Sequence, residues 1–374
     1  MSEGLDHIVA ASTRLSEVDG EAGRLTIAGY AVDDLAPTAT FEEVAFLLLN
    51  SRLPDLDERV RFGRELAARR EIPRVAIDVL RGAAAERASP MDALRMAASV
   101  LSLGRREGPL EDAMTAIAAF PTIVGTYWRL LHGERPVPVR ADLGHAAHYL
   151  HQLSGTEPAV DRARALETYL NTVCDHGLNA STFAARVIVS TRSDVISAIT
   201  GAVGALKGPL HGGAPGPALD MVFEIGTPER AEPYIRARLD RGERLMGFGH
   251  RVYRVRDPRA DVLAAASERL HGGGDADRSV YELARHVEAT ALRLLRERKP
   301  DRRLDTNVEF YTALLLHGIG LPTELFTPTF AVGRVLGWSA HCLEQLRDGR
   351  LIRPQSVYVG PRDLSYDSRP SVAA

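Results

Sequence analysis

The chain has 374 residues, 45% of them hydrophobic and 25% charged, with a formal net charge of −3. Those fractions exclude a disordered chain, the near-neutral balance argues against a basic nucleic-acid module, and no apolar run approaches the ~20 residues that span a bilayer. The length exceeds one compact core, so two domains are expected. All but two of the 46 basic residues are arginines; Lys207 and Lys299 are the lysines. Cys174 and Cys342 form no CxxC pair, which reads as two free buried thiols in a reducing compartment. The opening MSEGLDHIVA carries acids where a secretory signal needs basic charge and an apolar core, so a cytoplasmic location is expected.

Asp19-Gly20 and Ala22-Gly23 are turn signals, with a short strand expected at Arg24–Ile27. From residue 40 the periodicity becomes helical. Thr40-Phe41-Glu42-Glu43 is a capping box, and Ser89-Pro90-Met91-Asp92 supplies a cap, a proline at the first helical position and an early acid. Further helical patterns cover 56–70, 91–103, 111–131, 141–153, 162–174, 180–191 and 194–206. Residues 207–217 are rich in glycine and proline. Helices resume at 217–225 and 228–241, break at Gly247-Phe248-Gly249-His250, and restart behind Asp257-Pro258. Segments 279–298, 308–317 (capped by Asn307) and 327–347 complete the helices, and strand-like residues lie near 355–359. The expectation is an all-α protein. A large helical domain (1–213 and 313–374) carries an inserted smaller helical domain (214–312), with a cleft between them.

Four polar residues stand at breaks rather than on ordinary helix faces: His176, His211, His250 and Glu309. His211 and His250 lie among glycines, where the backbone can approach a ligand closely and an imidazole can face it. A single histidine of this kind is ordinarily a satisfied surface or capping group; two in glycine-rich loops point to a site. His145, His148 and His151, three apart, read as a partly exposed helix face in preference to a metal site. Arg254 and Arg259 follow His250 closely, and Arg334 lies in an apolar helix. A buried arginine without an anion is costly, so converging arginines suggest a small ligand with several carboxylates. The phosphate-loop, dinucleotide, nucleophile-elbow and HExxH motifs are all missing.

Taken in order, several segments resemble the citrate synthase family, in its shorter bacterial and archaeal form. They are Asp19–Leu25, Phe41–Ala45, Asp175-His176-Gly177-Leu178-Asn179-Ala180-Ser181-Thr182, Gly208-Pro209-Leu210-His211-Gly212-Gly213-Ala214, Met246–Tyr253, Asp257-Pro258-Arg259 and Asn307-Val308-Glu309-Phe310-Tyr311. The resemblance covers nearly the whole chain. It implies a homodimer whose small domain closes over the cleft. The implied reaction condenses acetyl-CoA with oxaloacetate and then hydrolyses the thioester to citrate and CoA, with no metal or redox cofactor.

The same resemblance implies the roles. His211 would stabilise the enol, His250 would donate to the oxaloacetate carbonyl, and Glu309 would take a methyl proton. His176, Asn179, Arg259 and Arg334 would bind oxaloacetate, with Arg353 reaching it from the other subunit. Arg254 would meet a CoA phosphate, and Leu245, Gly247, Phe248 and Gly249 would border the adenine. Most of the family has aspartate where Glu309 stands, and commonly arginine where Ala28 stands. A 2-methylcitrate synthase using propionyl-CoA is the nearest alternative. A non-catalytic CoA- or carboxylate-binding homologue and a metal-dependent hydrolase built on His176, His211, His250 and Glu309 are more distant ones.

Overall fold

The structure, a computed structural model, describes residues 3–5, 8–104, 108–211, 215–249, 253, 255–272, 278–299 and 304–365. His250 and Arg254 therefore lie outside the described residues. Three antiparallel strands open the chain: β1 (Ser16–Asp19), β2 (Arg24–Ile27) and β3 (Tyr30–Ala31), with Ser16 opposite Ile27. Asp19 accepts the amides of Glu21 and Ala22 at 3.1 and 2.8 Å, which turns β1 into β2. Only β2 is expected from the sequence; the charged Ser16-Glu17-Val18-Asp19 run conceals its partner.

Among the described residues, all remaining regular structure of any length is helical. The first group is α1 (Val32–Leu35), α2 (Phe41–Asn50), α3 (Leu56–Ala67), α4 (Arg74–Ala85), α5 (Pro90–Ala98) and α6 (Pro109–Leu131). The Thr40 capping box is present in full, and Ser89 accepts the amide of Asp92. Helix α4 is not anticipated, because Pro73 precedes it and no side chain caps it. Next come α7 (His145–Ser154), α8 (Val160–Val173), α9 (Ala180–Ser190) and α10 (Val195–Leu206), then α11 (Pro215–Ile225), α12 (Pro228–Asp240), α13 (Pro258–Gly272), α14 (Arg278–Arg298), α15 (Val308–Ile319) and α16 (Phe326–Asp348). Helix α15 runs unbroken through residue 312. No helix among the described residues is long and apolar enough to cross a membrane.

Helix α16 is buried on all sides from Ala331 to Cys342 and packs on α6, α8, α9 and α10. Among the later helices, α11 and α13 pack on α15, while α12 packs on α14; α13 also meets α8. One continuous apolar cluster joins both groups. Cys174 and Cys342 are free and buried within it, as expected.

Two expectations need correction. Residues 355–359 form no strand: their side chains are all exposed, so no packed face holds them in a sheet. The His145–His148–His151 face is buried, not partly exposed. His145 stacks on Phe41 with ring centres 4.0 Å apart and planes 9° from parallel. Burial holds its ring far below the ordinary histidine range and that of His148 at about 3, so both are neutral aromatic fillers.

Gly337 lets α16 touch the end of α8. A Cβ there would stand 2.3 Å from the Cys174 carbonyl oxygen, backbone against helix, and the Gly337 amide donates to that oxygen at 3.1 Å. Gly337→Ala is therefore expected to destabilise the fold by about 1–3 kcal/mol in denaturant unfolding. A change below about 0.5 kcal/mol would contradict this contact.

Candidate active site

The site grows from three joins between distant segments. The first is the stretch between α8 and α9, which α16 crosses. Arg334 on α16 is 2% exposed, and its Nε donates to the Val173 carbonyl at 2.6 Å. Its guanidinium lies 4.5 Å from the centre of the Phe330 ring. Burial lowers its pKa to about 10, countered by nearby Asp175 and reinforced by Arg259. The guanidinium's terminal nitrogens find no carboxylate within hydrogen-bond distance among the described residues. This is the buried, anion-seeking arginine that the sequence suggests.

His176 sits beside this arginine's helix, with Nε2 3.1 Å from the hydroxyl of buried Tyr253. Asn179 caps α9: Oδ1 accepts the Thr182 amide at 3.1 Å, and Nδ2 lies 3.3 Å from the Gly177 carbonyl. Its amide is thus engaged locally.

The second join brings His211 to the start of α9. The Ser181 amide donates to His211 Nε2 at 3.3 Å. The Ser181 hydroxyl lies 2.7 Å from the same nitrogen and 2.8 Å from Asn179 Oδ1, sharing one proton between them. Trp338 Nε1 donates to that hydroxyl at 3.0 Å. An amide N–H can only donate, so Nε2 is the acceptor and the ring proton sits on Nδ1. Burial, with the charge of Arg334, lowers the pKa of His211 to about 4. The ring is neutral at ordinary pH and presents one N–H, for which the described residues supply no acceptor. Such a group can stabilise an oxyanion without giving up its proton.

The third join ties the Gly247–Gly249 turn to the start of α15. Gly249 N donates to Asp305 O at 2.8 Å, Asn307 N to Gly247 O at 3.0 Å, and Asn307 Nδ2 to Gly249 O at 2.9 Å. Gly247 has φ +85°, and a Cβ there would stand 2.9 Å from Phe310, so only glycine fits. Leu245 is buried, and Phe248 packs against Phe310. Buried Glu288 anchors the same region by accepting from Thr306, Tyr311 and Arg256 at 2.6, 2.5 and 3.0 Å.

Asn307 Oδ1 accepts the Glu309 amide at 3.0 Å, placing Glu309 in the first turn of α15. Burial raises the Glu309 carboxyl above the ordinary glutamate range; Arg259 opposes and Asp257 reinforces the rise. Arg259 is 4% exposed and paired with Asp257 through Nε at 3.1 Å and Nη2 at 2.8 Å. Burial disfavours its charge, but Asp257 more than restores it.

Tyr253 meets both His176 and Arg259, whose guanidinium lies 5.9 Å from its ring centre, and Ser181 joins Asn179 to His211; Arg334 and Glu309 reach the others only through charge. Arg353 is apart from them. It is exposed and lines a cleft of about 610 Å³ with Arg14, Arg186, Glu344 and Arg350. Ser181, Trp338, Tyr253 and Asp257 are the supporting residues that sequence reasoning missed. Among the described residues, no three histidine, cysteine or acidic side chains cluster in a metal-holding arrangement.

A raised Glu309 has a consequence for pH. If Glu309 must be ionised to act, activity falls as pH drops through its raised pKa, whereas His211 stays neutral down to about 4. The acid limb of kcat/KM is expected above the ordinary glutamate value of about 4.3. A limb at or below that value would contradict the assignment.

Comparison with known proteins identifies the family. The sequence profile described as "Citrate synthase, C-terminal domain" matches residues 4–355. A citrate synthase of Haloferax volcanii is 41% identical, covering 98% of this chain and 97% of its own. A 2-methylcitrate synthase of Mycobacterium tuberculosis is 38% identical over 96% of this chain and 91% of its own. The citrate synthase of Thermoplasma acidophilum, solved as a ternary complex with carboxymethyl coenzyme A and oxaloacetate, superimposes with a TM-score of 0.87. It is 32% identical, with 98% of each chain covered. The mostly helical fold and these matches together place the chain in the citrate synthase family, as an enzyme of the acyltransferase type.

Proposed function

We propose that the protein condenses acetyl-CoA with oxaloacetate and water to give citrate and CoA. The observation that carries this is a neutral His211, its proton fixed on Nδ1 by Ser181, together with a Glu309 whose carboxyl is raised above its ordinary range by burial. A thioester methyl is a weak acid, so a carboxylate alone removes its proton poorly. The proton leaves when a fixed donor stabilises the developing enolate oxygen at the same moment. Glu309 takes the methyl proton while His211 Nδ1–H donates to the thioester oxygen. The methyl carbon then attacks the ketone carbon of oxaloacetate, and the ketone oxygen is protonated by His250. Water hydrolyses the resulting thioester, releasing citrate and CoA.

Arg334, Arg259, His176 and Asn179 hold the oxaloacetate in this scheme. Arg259 must exchange part of its pairing with Asp257 for a substrate carboxylate. Arg353 reaches the oxaloacetate of a partner subunit in a homodimer. Its exposure supports that role, as do the exposed apolar side chains of Leu351, Val357, Tyr358 and Val359. Arg254 meets a CoA phosphate and the 245–249 turn borders the adenine. Residues 214–312 form the small domain that closes on the rest and excludes water until condensation is complete. Glu309 stands in for the aspartate usual in the family.

Propionyl-CoA is the second substrate. One methylene is worth about 1–3 kcal/mol of discrimination in an apolar pocket, so turnover of both thioesters is expected, with acetyl-CoA faster. The test follows free thiol in purified protein with oxaloacetate and each thioester, with and without chelator. Oxaloacetate-dependent thiol release from acetyl-CoA, undiminished by chelator, is expected. Absence of thiol from both substrates would refute an enzyme, and a large propionyl preference would refute citrate as the main product.

A further inference from the structure

The five residues 173–177 are fixed at almost every position, and the fixings centre on His176. Arg334 holds the Val173 carbonyl and the Gly337 amide holds that of Cys174. Asp175 is fully buried. Its Oδ2 accepts from the Ser16 hydroxyl at 2.5 Å and lies 3.3 Å from His341 Nε2. The same Ser16 oxygen accepts the Gly177 amide at 2.8 Å. One hydroxyl on β1 thus grips the residue before His176 and the residue after it.

Behind Asp175 stands a line of buried groups. Arg186 Nη1, which can only donate, lies 2.8 Å from His341 Nδ1. Nδ1 is therefore the acceptor, the ring proton is on Nε2, and Nε2–H donates to Asp175. Arg186 also donates to Glu344 at 2.7 Å and to Gln345 at 2.9 Å. Asp175, His341, Arg186 and Glu344 are all buried. Within the line, Glu344 balances Arg186, which leaves the charge of Asp175 over. Burial works against the Asp175 charge, but His341, Ser16 and Arg334 together hold the carboxyl below its ordinary range.

We propose that Ser16, Asp175 and His341 are positioning residues for oxaloacetate: they fix the backbone on both sides of His176. This rests on the function proposed above. None of the three needs to touch substrate; they act through His176.

The experiment uses the full-length protein and the variants Ser16→Ala, His341→Leu and His341→Gln. It reads KM for each substrate, kcat, and calorimetric Kd for oxaloacetate. Ser16→Ala removes one half-buried hydroxyl and leaves the core intact. It is expected to raise the oxaloacetate KM and Kd by roughly tenfold, because Asp175 and the Gly177 amide each lose a partner. The acetyl-CoA KM should stay within about twofold. His341→Leu should raise the oxaloacetate values at least as far. His341→Gln should recover most of the loss, since its amide can accept from Arg186 and donate to Asp175.

An unchanged oxaloacetate KM in Ser16→Ala overturns the proposal. So does a loss shared equally by both substrates, or a Gln variant no better than Leu. Wild-type protein that neither binds oxaloacetate nor releases thiol would refute the proposed reaction itself, and this assignment with it.

Discussion

Glu309→Gln is expected to lower turnover by roughly a thousandfold while leaving oxaloacetate affinity within about threefold of wild type. Glutamine keeps the length and shape of the side chain and removes its capacity to take a proton. In the proposed scheme oxaloacetate is held by Arg334, Arg259 and His176, none of which bonds to Glu309. Stability should not suffer. Burial raises the Glu309 pKa in the folded state, so its ionised form is penalised at neutral pH and an uncharged isostere relieves that penalty. Thiol release measures the first effect, calorimetric titration the second and denaturant unfolding the third. Retained turnover would remove Glu309 from the role of base. Glu309→Asp separates charge from reach. It keeps the carboxylate but withdraws it by one methylene, and a displacement of about 1 Å is worth about 100-fold. A fall of tenfold or more is expected, even though aspartate is the usual residue of the family.

His211→Ala is expected to reduce kcat by about 100- to 1000-fold, the cost of losing one fixed oxyanion donor. The imidazole cannot be replaced by a charged group in this surrounding. Its pKa of about 4 follows from burial beside Arg334, so a second cation there would be repelled. His211→Asn retains an N–H donor and should recover part of the loss if its amide can keep the Ser181 contact. His211→Lys should not recover it. Equal activity of the Asn and Lys variants would show that charge, not a neutral directed proton, is what the site requires.

Much of this was legible in the sequence wherever a local signal existed. Thr40, Ser89 and Asn307 each mark a helix start, and each accepts the amide its position requires. Helix α4 lacks a cap and escaped notice. The His145 face was misjudged because histidine is polar by type, whereas packing on Phe41 decides its environment. The site divides in the same way. His176, His211 and Glu309 interrupt helical periodicity and so stand out. Ser16 is 159 residues from Asp175 and lies in a strand without an apolar pattern, so nothing near it in the chain marks its role. Ser181 is hidden inside the first turn of α9, and Trp338 and His341 inside the buried face of α16. Their functions arise only when the helices pack.

The most direct measurement is the mass of the product formed from acetyl-CoA carrying three methyl deuterons, with oxaloacetate and purified protein. Condensation through Glu309 breaks one methyl C–D bond and joins that carbon to the ketone. Citrate retaining two deuterons is therefore predicted, formed in step with free CoA. Thiol released together with acetate that keeps all three deuterons would identify simple thioester hydrolysis and contradict carbon–carbon bond formation at this site.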